Sequence, residues 1–161
     1  MTNHLILFIS HAGADAATAK ALVRLFEKAL KISARNILCT SVDGYRLPGG
    51  VNTDEMLRAA VFDATLLVAL LTPASLTSQY VLFELGARWG ADRPLFPVLA
   101  NGSTPRDLRA PLGRLNALDA ASPNQVRQLV EDVGRALDKA LEPSSSFSDE
   151  LDAVVELAKP R

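Results

Sequence analysis

Glu84 is the residue whose chemistry most needs an explanation in this 161-residue chain. It lies within Thr77-Ser78-Gln79-Tyr80-Val81-Leu82-Phe83-Glu84-Leu85-Gly86-Ala87-Arg88-Trp89-Gly90, a stretch that is apolar nearly all round. Such a stretch is expected to form a substantially buried helix. An ionised carboxylate is costly to bury unless it is paired or hydrogen-bonded. Arg88, four residues on and in the favourable Glu-before-Arg order, offers a structural ion pair. Alternatively, Glu84 belongs to a site. Tyr80, four residues earlier, shares its helix face and sets a flat ring beside it. A lone carboxylate in such surroundings can stabilise a developing positive charge.

The other reactive side chains are sparse. Cys39 is the single cysteine, so no intrachain disulfide can form, and its apolar strand run marks it as a small core residue. His4 and His11 have no acidic or cysteine company that would make a metal site. Trp89 lies off the Tyr80–Glu84 face and is expected in the core. Net charge is −1 with no basic block, so charge does not indicate direct nucleic-acid binding. The N-terminus lacks the features of a signal peptide, and the apolar runs are too short to span a bilayer. No membrane partner is expected, and a cytoplasmic location is the default expectation.

The elements that must position Glu84 follow from the hydrophobic pattern. His4–Ser10 reads as a first, doubly buried strand, and Thr65–Leu71 as a central one. Asn36–Thr40, Pro94–Leu99 and Leu115–Asp119 are the remaining strand candidates, with Pro97 arguing for an edge or a strand end. Helices are expected from about Asp15 to Ile32, with Asp15 as cap, and from about Thr53 to Asp63, with Asn52 and Glu55 at capping-box spacing. Another starts at Ser122-Pro123-Asn124-Gln125 and carries an apolar stripe to Leu141. Glu142–Ser146 reads as a linker. An amphipathic helix over Ser148–Lys159 either docks on the domain or leads into another element. The chain thus divides into a domain over 1–141 and a tail over 142–161. Alternating strands and helices predict a flavodoxin-like, doubly wound α/β fold, with about five parallel strands and helices on both faces. Ligands of such folds bind at the carboxyl ends of the strands. That end collects the loops Ser10–Gly13, Ser41–Gly50 and Thr72–Ser78.

Three anchors, in this order and spacing, resemble Toll/interleukin-1 receptor (TIR) domains. They are Phe8-Ile9-Ser10-His11 closing the first strand, Leu47-Pro48-Gly49 before a helix, and Leu70-Leu71-Thr72-Pro73 leading to Ser78, Tyr80, Glu84 and Leu85. The resemblance covers most of Leu5–Leu141 and is nearest to bacterial, NAD-consuming members. The family more often has Trp where this chain has Tyr80. It implies that Glu84 is the catalytic glutamate and that Ser10, His11, Ala12 and Gly13 lie beside the substrate. Ser10 is otherwise a strand-end hydrogen-bonder. The chain lacks the basic pair that some eukaryotic members carry in that loop. The resemblance also implies that Ser41–Gly50 is the loop that gates the site and joins neighbouring domains. There Tyr45, Arg46 and Leu47 are either substrate or interface contacts, or exposed decoration. Tyr80 either stacks on nicotinamide or is a core aromatic with a wet hydroxyl.

The implied reaction is cleavage of the nicotinamide–ribose bond of NAD+, by hydrolysis or cyclisation. Its transition state resembles that of glycoside hydrolysis. The pyridinium departs as a neutral base, so no general acid is needed and one carboxylate suffices. NAD+ enters as substrate and no further cofactor is implied. The implied partners are other TIR domains and a fused or separate sensor or effector, in bacterial antiphage defence. The competing reading is a non-catalytic interaction module. A nucleoside deoxyribosyltransferase-like enzyme would also use a carboxylate on an N-glycosidic bond. A phosphoacceptor receiver is rejected, because Ser10-His11 and Thr72-Pro73 stand where its acidic residues are needed.

Overall fold

The computed structural model describes residues 4–40, 49–50 and 52–161. Among these residues five strands form one parallel sheet: β1 (Leu7–Ser10), β2 (Ile37–Leu38), β3 (Leu66–Leu71), β4 (Leu95–Leu99) and β5 (Leu118–Asp119), in the order β2-β1-β3-β4-β5. The helices among the described residues are α1 (Ala16–Leu30), α2 (Thr53–Asp63), α3 (Gln79–Gly90), α4 (Pro123–Ala136) and α5 (Ser148–Ala158). Successive strand residues point to opposite faces, so β1 and β3 supply two cores. Leu7, Ile9, Val68 and Leu70 pack with α1, α4 and α5, whereas Phe8, Leu67, Ala69 and Leu71 pack with α2 and α3. Burial on both faces is why these strands are continuous apolar runs. The result is the flavodoxin-like, doubly wound arrangement.

Pro97 does not mark an edge. It stands within β4, opposite Ala69, and β4 has neighbours on both sides. Ala100 N–H donates to Leu71 of β3, while the Leu99 carbonyl accepts from Ala120 beyond β5. Alternation along the strand turns the Pro97 nitrogen toward β5, which pairs only from Leu118 opposite Val98. The missing donor therefore falls where β5 has not begun.

Two expected caps are used differently. Asp15 precedes α1 without capping it; its Oδ2 accepts from Thr72 Oγ1 at 2.6 Å and joins α1 to the end of β3. Ser122 makes no side-chain cap bond, and Gln125 Oε1 instead accepts from Asp119 N–H at 2.8 Å. Asn52 caps α2 as expected, accepting from the amides of Asp54 and Glu55.

The core continues past residue 141. Glu142 N–H donates to the Ala29 carbonyl at 2.8 Å, Ser144–Ser146 form a 3₁₀ turn, and Arg127 Nη1 donates to Ser144 Oγ at 2.8 Å. Beyond that turn α5 lies against α1 and α4, and Phe147, Leu151, Val154 and Ala158 join the same core as Phe26 and Leu30.

Candidate active site

The sequence around Glu84 builds a helix with an inverted pattern. Ser78 Oγ accepts from Val81 N–H at 3.4 Å and starts α3. Its buried stripe is Val81, Glu84, Leu85 and Arg88, the spacing of one helix face, and it contains both charges. The exposed side is apolar: Phe83 is 83% exposed, Trp89 54% and Tyr80 50%. The helix is therefore not buried all round. Trp89 is not a core residue; it lines a groove with Pro73, Leu76 and Leu112 on the flank of α3 away from Glu84.

Glu84 and Arg88 do not pair. Arg88 is fully buried and points into the end of α2. Its Nη1 donates to the carbonyls of Val61 and Ala64, both at 2.8 Å, its Nη2 to Thr65 at 2.9 Å, and its Nε to Pro94 at 3.0 Å. The last carbonyls of a helix lack intrahelical partners and carry the negative end of its dipole. The five donors of a guanidinium reach all four carbonyls in one fixed fork, one more than the three donors of an ammonium could serve. Burial, with a smaller push from Arg93, lowers Arg88 to about 10, so it stays charged near neutral pH. Replacing Arg88 with Met should strand the carbonyls of Val61, Ala64 and Thr65, while Pro94 still accepts from Leu67 N–H, and cost at least about 3 kcal/mol, at about 1–3 for each buried group left unsatisfied. Urea unfolding measures this. A loss below about 1 kcal/mol would mean that water replaces the guanidinium.

Glu84 is instead held by Ser10. The Ser10 hydroxyl, at the carboxyl end of β1, donates to Glu84 Oε2, and it is the only hydrogen-bond partner of this carboxylate among the described residues. Glu84 is 9% exposed. Burial raises its pKa from the ordinary 4.5 to about 7, against the opposing pull of the Ser10 hydrogen bond. The carboxylate lines a groove of about 660 Å³ between α2 and α3. Leu57, Arg58 and Phe62 of α2 face Tyr80 and Phe83 of α3 across it, with Asp54 near the start of α2. The Tyr80 hydroxyl is raised above its ordinary value by burial first, then by the negative charges of Glu84 and Asp54.

The remaining candidates divide by position. His11 follows Ser10, and its Nδ1–H donates to the Ile9 carbonyl at 3.2 Å with Cys39 Sγ 3.9 Å away. Burial lowers its pKa. His11, Ala12 and Gly13 share the sheet end with Glu84 but do not line the groove. Tyr45, Arg46 and Leu47 lie outside the described residues. The contribution of α2 was missed from the sequence, although Leu57 and Val61, at helical spacing after the Asn52 cap, are its signal. No group of metal-ligating side chains occurs among the described residues, and no helix among them is long and apolar enough to cross a membrane.

A family model for TIR domains matches residues 7–131. The chain belongs to the TIR family. The fold of this TIR domain is similar to that of a metazoan TIR-STING receptor from C. gigas, solved in complex with 2′,3′-cGAMP, with a TM-score of 0.59 and 23% identity. That likeness covers 85% of this chain and 40% of the receptor chain, so it spans less than half of that receptor chain. A search of curated proteins finds no match.

Proposed function

We propose that this TIR domain is an NAD+ nucleosidase in which Glu84 is the catalytic carboxylate. The observation that carries the reading is a buried carboxylate at the carboxyl end of the sheet, held by a hydroxyl, with Arg88 engaged elsewhere and an open groove beside it. In the reaction the C1′–N bond breaks and its electron pair neutralises the nicotinamide ring. Positive charge passes to the ribose, where an anion beside C1′ stabilises it. Water or a nucleophile within the substrate then closes on C1′, giving a linear or a cyclic product. Tyr80 offers its ring to the departing base. The immune-defence setting and cytoplasmic location implied by the resemblance belong to the same proposal. Incubating the purified chain at high concentration with NAD+ and resolving the products by chromatography tests it. Release of nicotinamide supports the reading, and no turnover even in tethered oligomers removes it.

The second reading is a non-catalytic assembly module, and the exposed apolar side of α3 favours it. Large exposed apolar patches mark interaction surfaces. Self-association is part of both readings, so its surface is tested away from the groove. Leu82, 42% exposed, is on the opposite flank. Leu82→Glu should weaken self-association at least about tenfold, the equivalent of 1.4 kcal/mol. Sedimentation velocity reads this directly, and an unchanged association constant would exclude that flank.

A further inference from the structure

We propose that Ser10 is a positioning residue for Glu84: its hydroxyl orients the carboxylate and supplies the hydrogen bond that an anion needs in an apolar wall. This rests on the reading of Glu84 as the catalytic group, and it gives Ser10 a role without substrate contact. The geometry supports it from both sides. Ser10 is 1% exposed, and its backbone is paired in β1 opposite Ala69 of β3, so the hydroxyl is delivered from a strand inside the sheet. It donates to Oε2. A carboxylate held at one oxygen cannot turn freely, and its other oxygen keeps one direction.

Other titratable groups lie around this carboxylate. Tyr80, on its own helix, and Asp54 and Arg58 of α2 line the same groove. His11 and Asp15 lie in the segment after β1, where the Asp15 carboxylate is occupied by Thr72. Arg88, one turn further along α3, spends its donors on carbonyls. Ser10 alone among the described residues donates to Glu84. Without it, the anionic form would lose its hydrogen bond and keep its desolvation.

The test is Ser10→Ala with two independent readouts. The first is a ¹³C NMR titration of the Glu84 carboxyl, assigned by its absence in Glu84→Gln. Its midpoint should rise by about one pH unit or more, the worth of a hydrogen bond to a charged group. The second is the pH profile of kcat/KM. At pH 6 the variant should be about tenfold slower than the parent, the gap closing above about pH 9 as both become anionic. Ser10→Thr, which keeps the hydroxyl, should restore the parent midpoint. A merely structural serine would lower the melting temperature and scale activity equally at every pH, leaving the midpoint in place; that result overturns the proposal. Should Ser10→Ala fail to fold, Ser10→Cys, with its weak donor, takes its place. If the parent chain shows no NAD+ turnover, the nucleosidase reading fails, while the NMR titration still decides the role of Ser10.

Discussion

Glu84→Gln is expected to slow NAD+ cleavage by about 10²–10³ and, at pH 8, to make the protein more stable. The two effects have one origin. Burial lifts the Glu84 pKa from 4.5 to about 7. Between those values the folded chain holds a proton that the unfolded chain has released. Stability therefore falls as pH rises through that window and levels off above it. The full cost at pH 8 is about 3 kcal/mol. Glutamine has the same shape and no charge, so the variant escapes this cost. For a chain of this length that corresponds to a melting temperature roughly 6–12 °C above the parent at pH 8. The difference should vanish below about pH 4.5, where the glutamate is protonated in both the folded and the unfolded chain. Activity moves oppositely. Removing a group that stabilises developing charge costs about 10²–10³ in rate. In the parent, kcat/KM should climb about tenfold per pH unit below about 7 and flatten above, because the anion is the active form. Calorimetry at the two pH values and a nicotinamide-release assay check both halves. Equal melting temperatures at pH 8 would show that the carboxylate is solvated, and retained turnover in the variant would remove Glu84 from the mechanism.

Deleting residues 142–161 should abolish cooperative folding. The segment looks like a tail in composition, yet Phe147, Leu151, Val154 and Val155 are buried against α1 and α4. Burying a large apolar side chain contributes about 1.5–3 kcal/mol, so the four amount to roughly 6–12 kcal/mol as an upper figure. That is comparable to the whole stability of a domain, about 5–15 kcal/mol. The deletion would also uncover Phe26 and Leu30, which share this core with α5. The shortened chain should show helical content without a sharp thermal transition and should aggregate. A cooperative transition within a few degrees of the parent would show that α5 is an appendage.

Much of the sheet was legible because its strands are the ordinary kind. Leu66–Leu71 is buried on both faces, so its residue types leave little choice of structure. The strands β2 and β5 fall inside the expected ranges Asn36–Thr40 and Leu115–Asp119, but each has only two paired residues, and so short a pairing leaves its ends unreadable. Pro97 misled because a proline shows that a donor is missing but not which neighbour misses it. On α3 the usual rule runs backwards. Tyr80, Phe83 and Trp89 face outward while Glu84 and Arg88 face the core, so hydrophobicity alone indicated a substantially buried helix. Arg88 also stood at ideal spacing for an ion pair. What drew it away, the row of carbonyls ending α2, is made by residues more than twenty positions earlier and is invisible to local spacing. Glu84 was found because a buried carboxylate demands a reason. Its partner Ser10 was placed at the right end of the sheet, but the contact depends on the packing of α3 over β1.

The Arg88 clamp has a consequence for how any acid dependence of this protein should be interpreted. A guanidinium lowered only to about 10 keeps its proton throughout the range in which Glu84 changes charge. Its partners are neutral carbonyls, and a contact shut away from solvent is little screened by added salt. The joint between α2 and α3 is thus indifferent to acidity and ionic strength, and it is this joint that sets the spacing of the groove walls. Acid can discharge the carboxylate while the vessel around it keeps its dimensions. A fall in turnover on acidification would then coincide with a firmer protein, which is the opposite of what incipient denaturation produces.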